Sequence, residues 1–205
     1  MMRFARLIVT ALILCGIVSM PAEAYEQWLT TEAIREAYFL GSRNDENSVQ
    51  FFGPYQHWFA ASGAGLQVQY VQALTPYAQV VFAAQHYMIN ENAVDAVQRY
   101  KNRALPFVVR AMIYVPIAEL PSKYDIEKQS SVAVSQAHPI APRTITYHPV
   151  YVSTGGPKGG GTRFAGVEVE LEFDVTQVES RDLKVRVSFS DGRHFDTTFD
   201  LTRLK

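Results

Sequence analysis

Cysteine is almost absent from this chain of 205 residues, in which Cys15 is the only one. A single thiol cannot form an intramolecular disulfide, and zinc sites built on thiolates need several cysteines. Cys15 also lies in an N-terminal segment that we expect to be removed, so the mature protein would have no catalytic cysteine either. We expect its stability to come from a buried apolar core, which a chain of this length can form.

Charged residues are also few, since they make up 19% of the chain, with 19 basic and 20 acidic side chains and a formal net charge of −1. No long basic run occurs, and a protein that neutralises phosphates needs a concentrated positive surface. We therefore expect no nucleic-acid partner. Hydrophobic residues make up 48%, which indicates a packed domain rather than a disordered chain.

The N-terminus has the three parts of a secretory signal peptide. Two early arginines precede an apolar run over residues 7–18, Pro21 follows, and the sequence Ala-Glu-Ala ends at Ala24. The apolar run is too short to cross a bilayer comfortably. We predict that residues 1–24 are cleaved off after Ala24, that the protein is exported to the periplasm or the extracellular medium, and that it then has no stable membrane insertion. An uncleaved N-terminal anchor is the alternative.

Helical signals precede a region rich in strand signals. Residues 25–62 are predicted to be a helical segment of two short helices, the first of which stops at Gly41 while the second is capped by Asp45. Residues 63–205 are predicted to be mainly β, with one inserted helix near residues 91–103, where acidic residues come first and basic residues last.

Apolar runs within the second region are predicted to be strands. The run at residues 77–89, YAQVVFAAQHYMI, is apolar enough for an interior strand, and residues 106–116, PFVVRAMIYVP, are apolar on nearly both faces, as is typical of a central strand. Residues 117–143 have no lasting period, and a short strand is predicted within them at SVAVS, residues 131–135.

The C-terminal third alternates between apolar and polar residues. In residues 167–175, VEVELEFDV, four acidic side chains share one face, and residues 183–189, LKVRVSF, repeat the pattern with basic ones. We expect the acidic row to face solvent, and to face the basic row if the two strands pair. The chain is thus predicted to be α+β, mainly an antiparallel β-sandwich, of which the immunoglobulin-like arrangement is one form, with an N-terminal helical hairpin and one inserted helix.

The last hairpin can be derived in more detail. A two-residue turn would pair apolar with polar side chains, so we predict a three-residue loop over residues 190–192. This register places Asp196 opposite Arg186 on the solvent face. It also places Gly192 in the left-handed conformation, where a side chain would be unfavourable.

Residues 152–163, VSTGGPKGGGTR, hold five of the twelve glycines. A phosphate-binding loop of this composition must lead into a helix, whose N-terminus supplies aligned N–H groups, but strand signals follow here. We therefore predict a hairpin connection without a cofactor. The alternative is a mobile flap at residues 155–161 that covers a ligand and contacts it through Lys158.

Residues 51–59, FFGPYQHWF, include five aromatic side chains in nine residues. One interpretation is that they pack the helical hairpin onto the sheet. The other is that amphipathic rings form a stacking platform for a sugar or peptide, with Tyr55, His57 and Trp58 as candidate binding residues.

No catalytic residue, metal site or cofactor is predicted. The five histidines lack the spacing of a helical metal-binding pair, and Ser62 lacks the preceding glycine of a nucleophile elbow. Neither a catalytic triad nor a carboxylate dyad can be assigned.

A resemblance covers most of the mature chain. In the stretches AIREAYFLGSRND and LTPYAQVV, and in the ending VEVELEFDV…DGRHFDTTFDL, the chain resembles a group of uncharacterised exported bacterial proteins. The resemblance implies export and a shared architecture. That group has no assigned activity, so the resemblance implies no catalytic residue.

These observations favour an exported non-enzymatic module that binds a protein or a cell-envelope component. Residues 144–153, in which the parity of the apolar positions changes at a proline, are predicted to be a bulged or edge strand, to which another strand can add. Two alternatives stay open. One is a hydrolase acting on a glycan or peptide under the 155–161 flap, and the other is a carrier of a small ligand.

Overall fold

A computed structural model describes residues 28–61, 65–88, 90–115, 123–153 and 161–205. The helices in these ranges are α1 (Thr31–Ser42), α2 (Glu46–Phe51), α3 (Pro76–His86), α4 (Ala93–Tyr100) and α5 (Lys123–Gln129). The strands are β1 (Gln56–Trp58), β2 (Gln67–Leu74), β3 (Phe107–Tyr114), β4 (Ser130–Ser135), β5 (Pro139–Ile140), β6 (Thr144–Ser153), β7 (Thr162–Phe173), β8 (Asp182–Phe189) and β9 (His194–Asp200). The fold is α+β, as predicted.

Among the described residues all the strand pairs are antiparallel, and they form two sheets. One sheet has five strands in the order β1-β2-β3-β7-β6, and the other has four in the order β5-β4-β8-β9. The central position of β3 and the strand at 131–135 are as predicted. These strand orders do not establish the immunoglobulin-like arrangement, which stays a prediction.

The main core lies between the two sheets. Alternate residues of β2, β3 and β7 pack in one buried cluster with alternate residues of β8, and Val109, Leu171 and Val185 are among its members. Each of these strands places every second side chain in this layer, because successive side chains point to opposite faces of a sheet. The other face of the five-stranded sheet therefore carries a different set of residues, which form the candidate site.

A second apolar cluster joins α1, α3 and α4 into a helical layer, with Ile34 and Val80 fully buried within it. Phe51 and Phe52 contact both clusters, so the aromatic stretch does join this layer to the sandwich.

Residues 77–89 were predicted as a strand, and this prediction is wrong. Thr75 accepts a hydrogen bond from the N–H of Ala78, and a proline follows the cap, so the chain begins a helix there.

Residues 167–175 and residues 183–189 do not pair, so the condition under which the acidic row would face the basic row is not met. β7 lies between β3 and β6, and β8 lies between β4 and β9 in the other sheet. The alternation was interpreted correctly, but it gives only the face of each side chain and not the identity of the neighbouring strand.

The C-terminal hairpin has the predicted register. Arg186 lies opposite Asp196, and Val187 lies opposite Phe195. Gly192 has a φ angle of 87°, in the left-handed region. Arg186 forms a bidentate pair with Asp196 through hydrogen bonds of 2.7 and 3.0 Å on the exposed face of the sheet.

The glycine-rich loop connects two neighbouring antiparallel strands. Ser153 at the end of β6 lies opposite Thr162 at the start of β7, and no helix follows Gly161. The strand-to-helix arrangement that a phosphate-binding loop requires is therefore not present here.

Within the described ranges, no helix has the length and apolar character needed to cross a membrane.

Candidate functional site

The outer face of the five-stranded sheet holds two rows of side chains that run across all five strands. Residues that lie directly opposite each other in antiparallel strands point to the same face. The first row comprises Gln56, Gln72, Arg110, Glu170 and Thr146. The second row comprises Trp58, Tyr70, Met112, Glu168 and His148.

These rows form the floor of an open cleft with a volume of about 570 Å³. Helix α3 crosses the same face of the sheet, and its C-terminal end supplies one wall through Phe82 and Tyr87. Apart from Thr146, Trp58 and Met112, every residue of the two rows lines the cleft. The cleft is thus mainly polar on its floor and aromatic on its wall.

Arg110 is the centre of the polar floor. Its Nε lies 2.7 Å from Oε2 of Glu170 and 3.9 Å from Oε1 of Glu168. Its guanidinium lies 5.2 Å from the centroid of the Phe82 ring, which fixes it from above by a cation–π contact. The arginine is therefore held by strand β7 and helix α3, and its orientation does not depend on a ligand.

Tyr70 lies next to Trp58 in the second row. Its hydroxyl donates a hydrogen bond of 2.5 Å to Oε2 of Glu168. This bond crosses over β3, because Met112, which is buried, lies opposite both residues in the strand register. Burial raises the pKa of Tyr70, and the hydrogen bond to the Glu168 carboxylate raises that pKa further. Tyr70 stays a neutral donor throughout the physiological pH range.

Aromatic side chains stand at two borders of the floor. The ring of Trp58 lies 5.2 Å from that of Tyr70 in an edge-to-face arrangement, and 59% of Trp58 is exposed. On the helical wall, 72% of Tyr87 is exposed. Large exposed rings beside polar groups indicate a ligand site more strongly than isolated apolar residues on a surface do, because they offer a flat face to a ligand.

Two amides lie side by side at the β1–β2 end of the first row. Gln56 is opposite Gln72, and both side chains line the cleft. Neither amide makes a side-chain hydrogen bond to another described residue. Each amide can donate two hydrogen bonds and accept two, so this end of the cleft has polar groups that remain available to a ligand.

Three of the candidate residues named from the sequence, Tyr55, His57 and Trp58, lie within the described residues, and they do not form one surface. Tyr55 is buried, with 1% of its surface exposed, and therefore cannot form a stacking platform. His57 is exposed but points to the opposite face from Trp58, where its ring contacts Phe59. Of these three, Trp58 alone borders the cleft, next to Tyr70. Lys158 and the cleavage site after Ala24 lie outside the described residues.

The acidic row of β7 was expected to face solvent, but Glu168 and Glu170 are only partly exposed, at 21% and 17% of their side chains. They face Arg110 and Tyr70 rather than the basic residues of β8. A sequence signal for this was the single arginine in the apolar strand at residues 106–116. A charged residue in a central strand needs a partner of opposite sign on a neighbouring strand.

A second surface of interest is the outer edge of β6. The N–H of Val115 donates to the carbonyl oxygen of Ala165 at 2.9 Å, so odd-numbered residues of β7 direct their backbone groups towards β3. Even-numbered residues of β7 therefore bond to even-numbered residues of β6. Consequently Ile145, Tyr147 and Pro149 direct their backbone groups away from β7.

The edge position of β6 agrees with the prediction for residues 144–153, and the register shifts between Val150 and Tyr151 rather than at the proline. Pro149 lies at an outward position, where its missing N–H costs no ladder hydrogen bond. The strand has no charged residue, and 50% of Ile145 is exposed. Charges are a common protection of strand edges, and this edge lacks them.

Within the described ranges, no group of three or more histidine, cysteine, aspartate or glutamate residues could hold a metal ion.

No protein-family model matches the chain, and comparison with curated proteins and with solved structures finds no match either. The resemblance to uncharacterised exported proteins therefore stays a prediction, and the functional argument depends on the chemistry of the cleft.

Proposed function

We propose that this protein is an exported module without catalytic activity that binds a component of the cell envelope in the cleft of the five-stranded sheet. The observation that supports it most is the double row of mainly polar side chains, which two exposed aromatic rings border. Such a combination of directed polar groups and flat apolar surfaces is typical of ligand sites.

The cleft has the size and rigidity that a binding site needs. Its volume of about 570 Å³ lies within the usual range for ligand pockets. Arg110, Glu168, Glu170 and Tyr70 are already fixed by hydrogen bonds to one another. Little side-chain entropy is then lost when a ligand binds, which favours affinity.

The envelope is proposed as the location of the ligand because of the N-terminal sequence. The basic start, the short apolar run and the Ala-Glu-Ala ending at Ala24 favour export, and an exported protein meets envelope polymers and periplasmic proteins first.

Co-sedimentation with purified envelope fractions tests this proposal. The mature protein, beginning at Tyr25, is mixed with insoluble envelope polymers and centrifuged, and the same is done with Trp58→Ala and with the double variant Gln56→Ala/Gln72→Ala. We expect the wild type to sediment with the polymer and both variants to stay mainly in the supernatant. Trp28→Ala is the matched control, because 58% of Trp28 is exposed and it lies outside the cleft. Equal sedimentation of all four proteins would contradict the proposal.

A second candidate function is the binding of a partner protein by strand addition at β6. The outward backbone groups of Ile145 and Tyr147 support it, because an extended segment can pair with them in an antiparallel ladder. Ile145→Pro removes one outward N–H without touching the bonds to β7. If a partner protein captured from envelope extracts is lost with Ile145→Pro but kept with Trp58→Ala, strand addition is the function.

The hydrolase alternative has one supporting observation, which is that His148, Glu168 and Glu170 line the same cleft. Both carboxylates are already engaged, one by Tyr70 and one by Arg110, so neither is placed to donate a proton. Release of soluble fragments from envelope polymers by the wild type, and its loss in Glu168→Gln, would establish the hydrolase. Binding of a small molecule without any polymer would favour the carrier.

A further inference from the structure

We infer that the ligand of the cleft is a chain of linked sugar rings without carboxylate or phosphate groups. This inference rests on the proposed function and specifies its ligand class. Four features of the cleft carry it: the kind of hydrogen-bonding group available, the exposed rings, the local charge, and the length of the rows.

Side chains, and not backbone groups, supply the hydrogen bonds of the floor. The three inner strands β2, β3 and β7 are paired on both sides, so their backbone groups are used within the sheet. A peptide that binds by its main chain would find no partners on this floor. The amides of Gln56 and Gln72 instead offer planar pairs of a donor and an acceptor, which match neighbouring hydroxyl groups of a sugar, and the carboxylates of Glu168 and Glu170 act as acceptors only.

The exposed rings provide flat surfaces for stacking. Trp58 borders the β1 end of the second row, and Tyr87 stands on the helical wall. Because both rings are largely exposed, the C–H face of a sugar ring can cover their apolar surface while its hydroxyls reach the polar floor.

The local charge disfavours an acidic ligand. The floor holds two carboxylates, Glu168 and Glu170, and one cation, Arg110, whose Nε is bonded to Glu170. At neutral pH these three groups sum to one negative charge. An added carboxylate or phosphate would meet this negative charge, and because both carboxylates are mostly buried the repulsion is screened less than between fully exposed groups. A neutral ligand, or one with an amino group, does not meet this repulsion.

The length of the rows indicates several linked rings rather than one. Each row crosses five strands, or four inter-strand spacings, which gives a length of about 19 Å. A monosaccharide would cover one part of this floor only. A linear oligosaccharide lying across the strands would contact the amides at one end and His148 at the other.

Calorimetric titration with a panel of defined oligomers tests the inference. The panel comprises mono- to hexasaccharides of N-acetylglucosamine, the deacetylated amino-bearing oligomers, oligomers of galacturonic acid, and an uncharged extended peptide of similar length. We expect affinity to increase from monosaccharide to tetrasaccharide. We expect the acidic oligomers to bind at least about tenfold more weakly than the neutral ones, because they place like charges together.

Three variants connect the binding to this cleft. Trp58→Ala and Tyr87→Ala should each weaken oligosaccharide binding about three- to tenfold, since each removes one aromatic stacking surface. Trp28→Ala should change nothing. Glu170→Gln removes one negative charge and should reduce the difference between acidic and neutral oligomers, whatever it does to the affinity for either.

The outcomes separate this inference from the proposed function. If the protein sediments with envelope polymers in a Trp58-dependent manner but binds only the peptide or only acidic oligomers, the ligand class is wrong and the proposed site stands. If oligosaccharides bind equally well to wild type and to both aromatic variants, the inference is wrong as well. If neither polymer nor oligomer binds, the proposed function is wrong, and the inference that rests on it is wrong too.

Discussion

The hydroxyl of Tyr55 donates a hydrogen bond of 3.1 Å to the carbonyl oxygen of Lys205 and accepts one of 2.9 Å from the N–H of the same residue. Thr75 also donates to that carbonyl oxygen. The ammonium group of Lys205 lies 2.6 Å from Glu36 in α1 and 4.8 Å from the Tyr77 ring in α3. Lys205 thus ties the helical layer to the sheet, and Tyr55 has a structural role rather than the binding role first considered.

Tyr55→Phe should lower the free energy of unfolding by about 1 to 2 kcal/mol at neutral pH, because it leaves backbone groups of Lys205 with fewer partners. Urea unfolding followed by circular dichroism measures this change. Tyr151→Phe is the control, since 60% of Tyr151 is exposed, and it should leave the stability unchanged. Equal stability of both variants would show that the Lys205 contact contributes nothing.

The same substitution should alter the alkaline dependence of stability. Burial raises the pKa of Tyr55 from 10.0 to about 12, so the fold favours its neutral form. Its contribution is complete below pH 10 and is lost as the pH rises towards 12. Tyr55→Phe should therefore flatten the decline of stability over that interval, with a remainder from Tyr70 and Tyr100, whose pKa values are also raised. An identical decline in wild type and variant would contradict this assignment.

Gly41→Ala should destabilise the protein by about 2 to 3 kcal/mol. A Cβ at this position would collide with the carbonyl oxygen of Val81 and lie 2.9 Å from the Cβ of Ala84, so α1 and α3 would have to move apart. Thermal unfolding measures the effect. Gly53→Ala is the matched control, because nothing lies within 4 Å of its added Cβ. If the two variants unfold alike, the close approach of the helices does not depend on the glycine.

Gly192→Ala tests the C-terminal hairpin. The substitution meets no neighbour, but the φ angle of 87° is unfavourable for any residue with a Cβ. We expect a loss of about 1 kcal/mol, against little or no loss for Gly53→Ala, which has equal space and no positive φ. A variant as stable as the wild type would mean that the loop adopts another conformation in solution.

The contacts of Arg110 on the polar floor should contribute to the stability of the fold. Arg110→Met leaves Glu168 and Glu170 without their cation at a site where only 21% of the arginine side chain is exposed. We expect a loss of about 1 to 2 kcal/mol at pH 7. The triple variant that also carries Glu168→Gln and Glu170→Gln should recover part of it, because no unpaired carboxylate remains. No recovery would indicate that packing of the arginine on Phe82 dominates.

The β-rich half of the fold could be predicted from the sequence wherever strict alternation of apolar and polar residues allowed only one strand register. The hairpin around Gly192 is the best case, because a slip of one residue would have turned Phe195 and Phe199 towards solvent. The helix at Pro76–His86 was missed because its residues are apolar on most sides, since it packs between the sheet and α1. Periodicity cannot separate such a helix from a buried strand, although Thr-Pro at its start was a usable signal.

The site was harder to predict than the fold because it depends on strand order. Gln56 and Thr146 belong to one row but are 90 residues apart, and only the pairing of five strands brings them together. The acidic row of β7 was interpreted as a solvated face because its arginine partner lies on a strand that precedes it by about 60 positions. The exposure of Trp58 agrees with the stacking interpretation of residues 51–59, but no alternation signalled it, because His57 beside it is exposed as well and Phe59 is half-buried.

Chemical-shift mapping with the isotope-labelled protein that begins at Tyr25 tests the central claim most directly. Envelope polymers that co-sediment with the protein are digested to soluble fragments and titrated, and the backbone amide signals are followed. The account predicts shifts concentrated on both rows, above all at Gln72, Arg110 and Glu170, with none on the four-stranded sheet. Shifts confined to the outer edge of β6 around Tyr147, or spread over the whole surface, would contradict it.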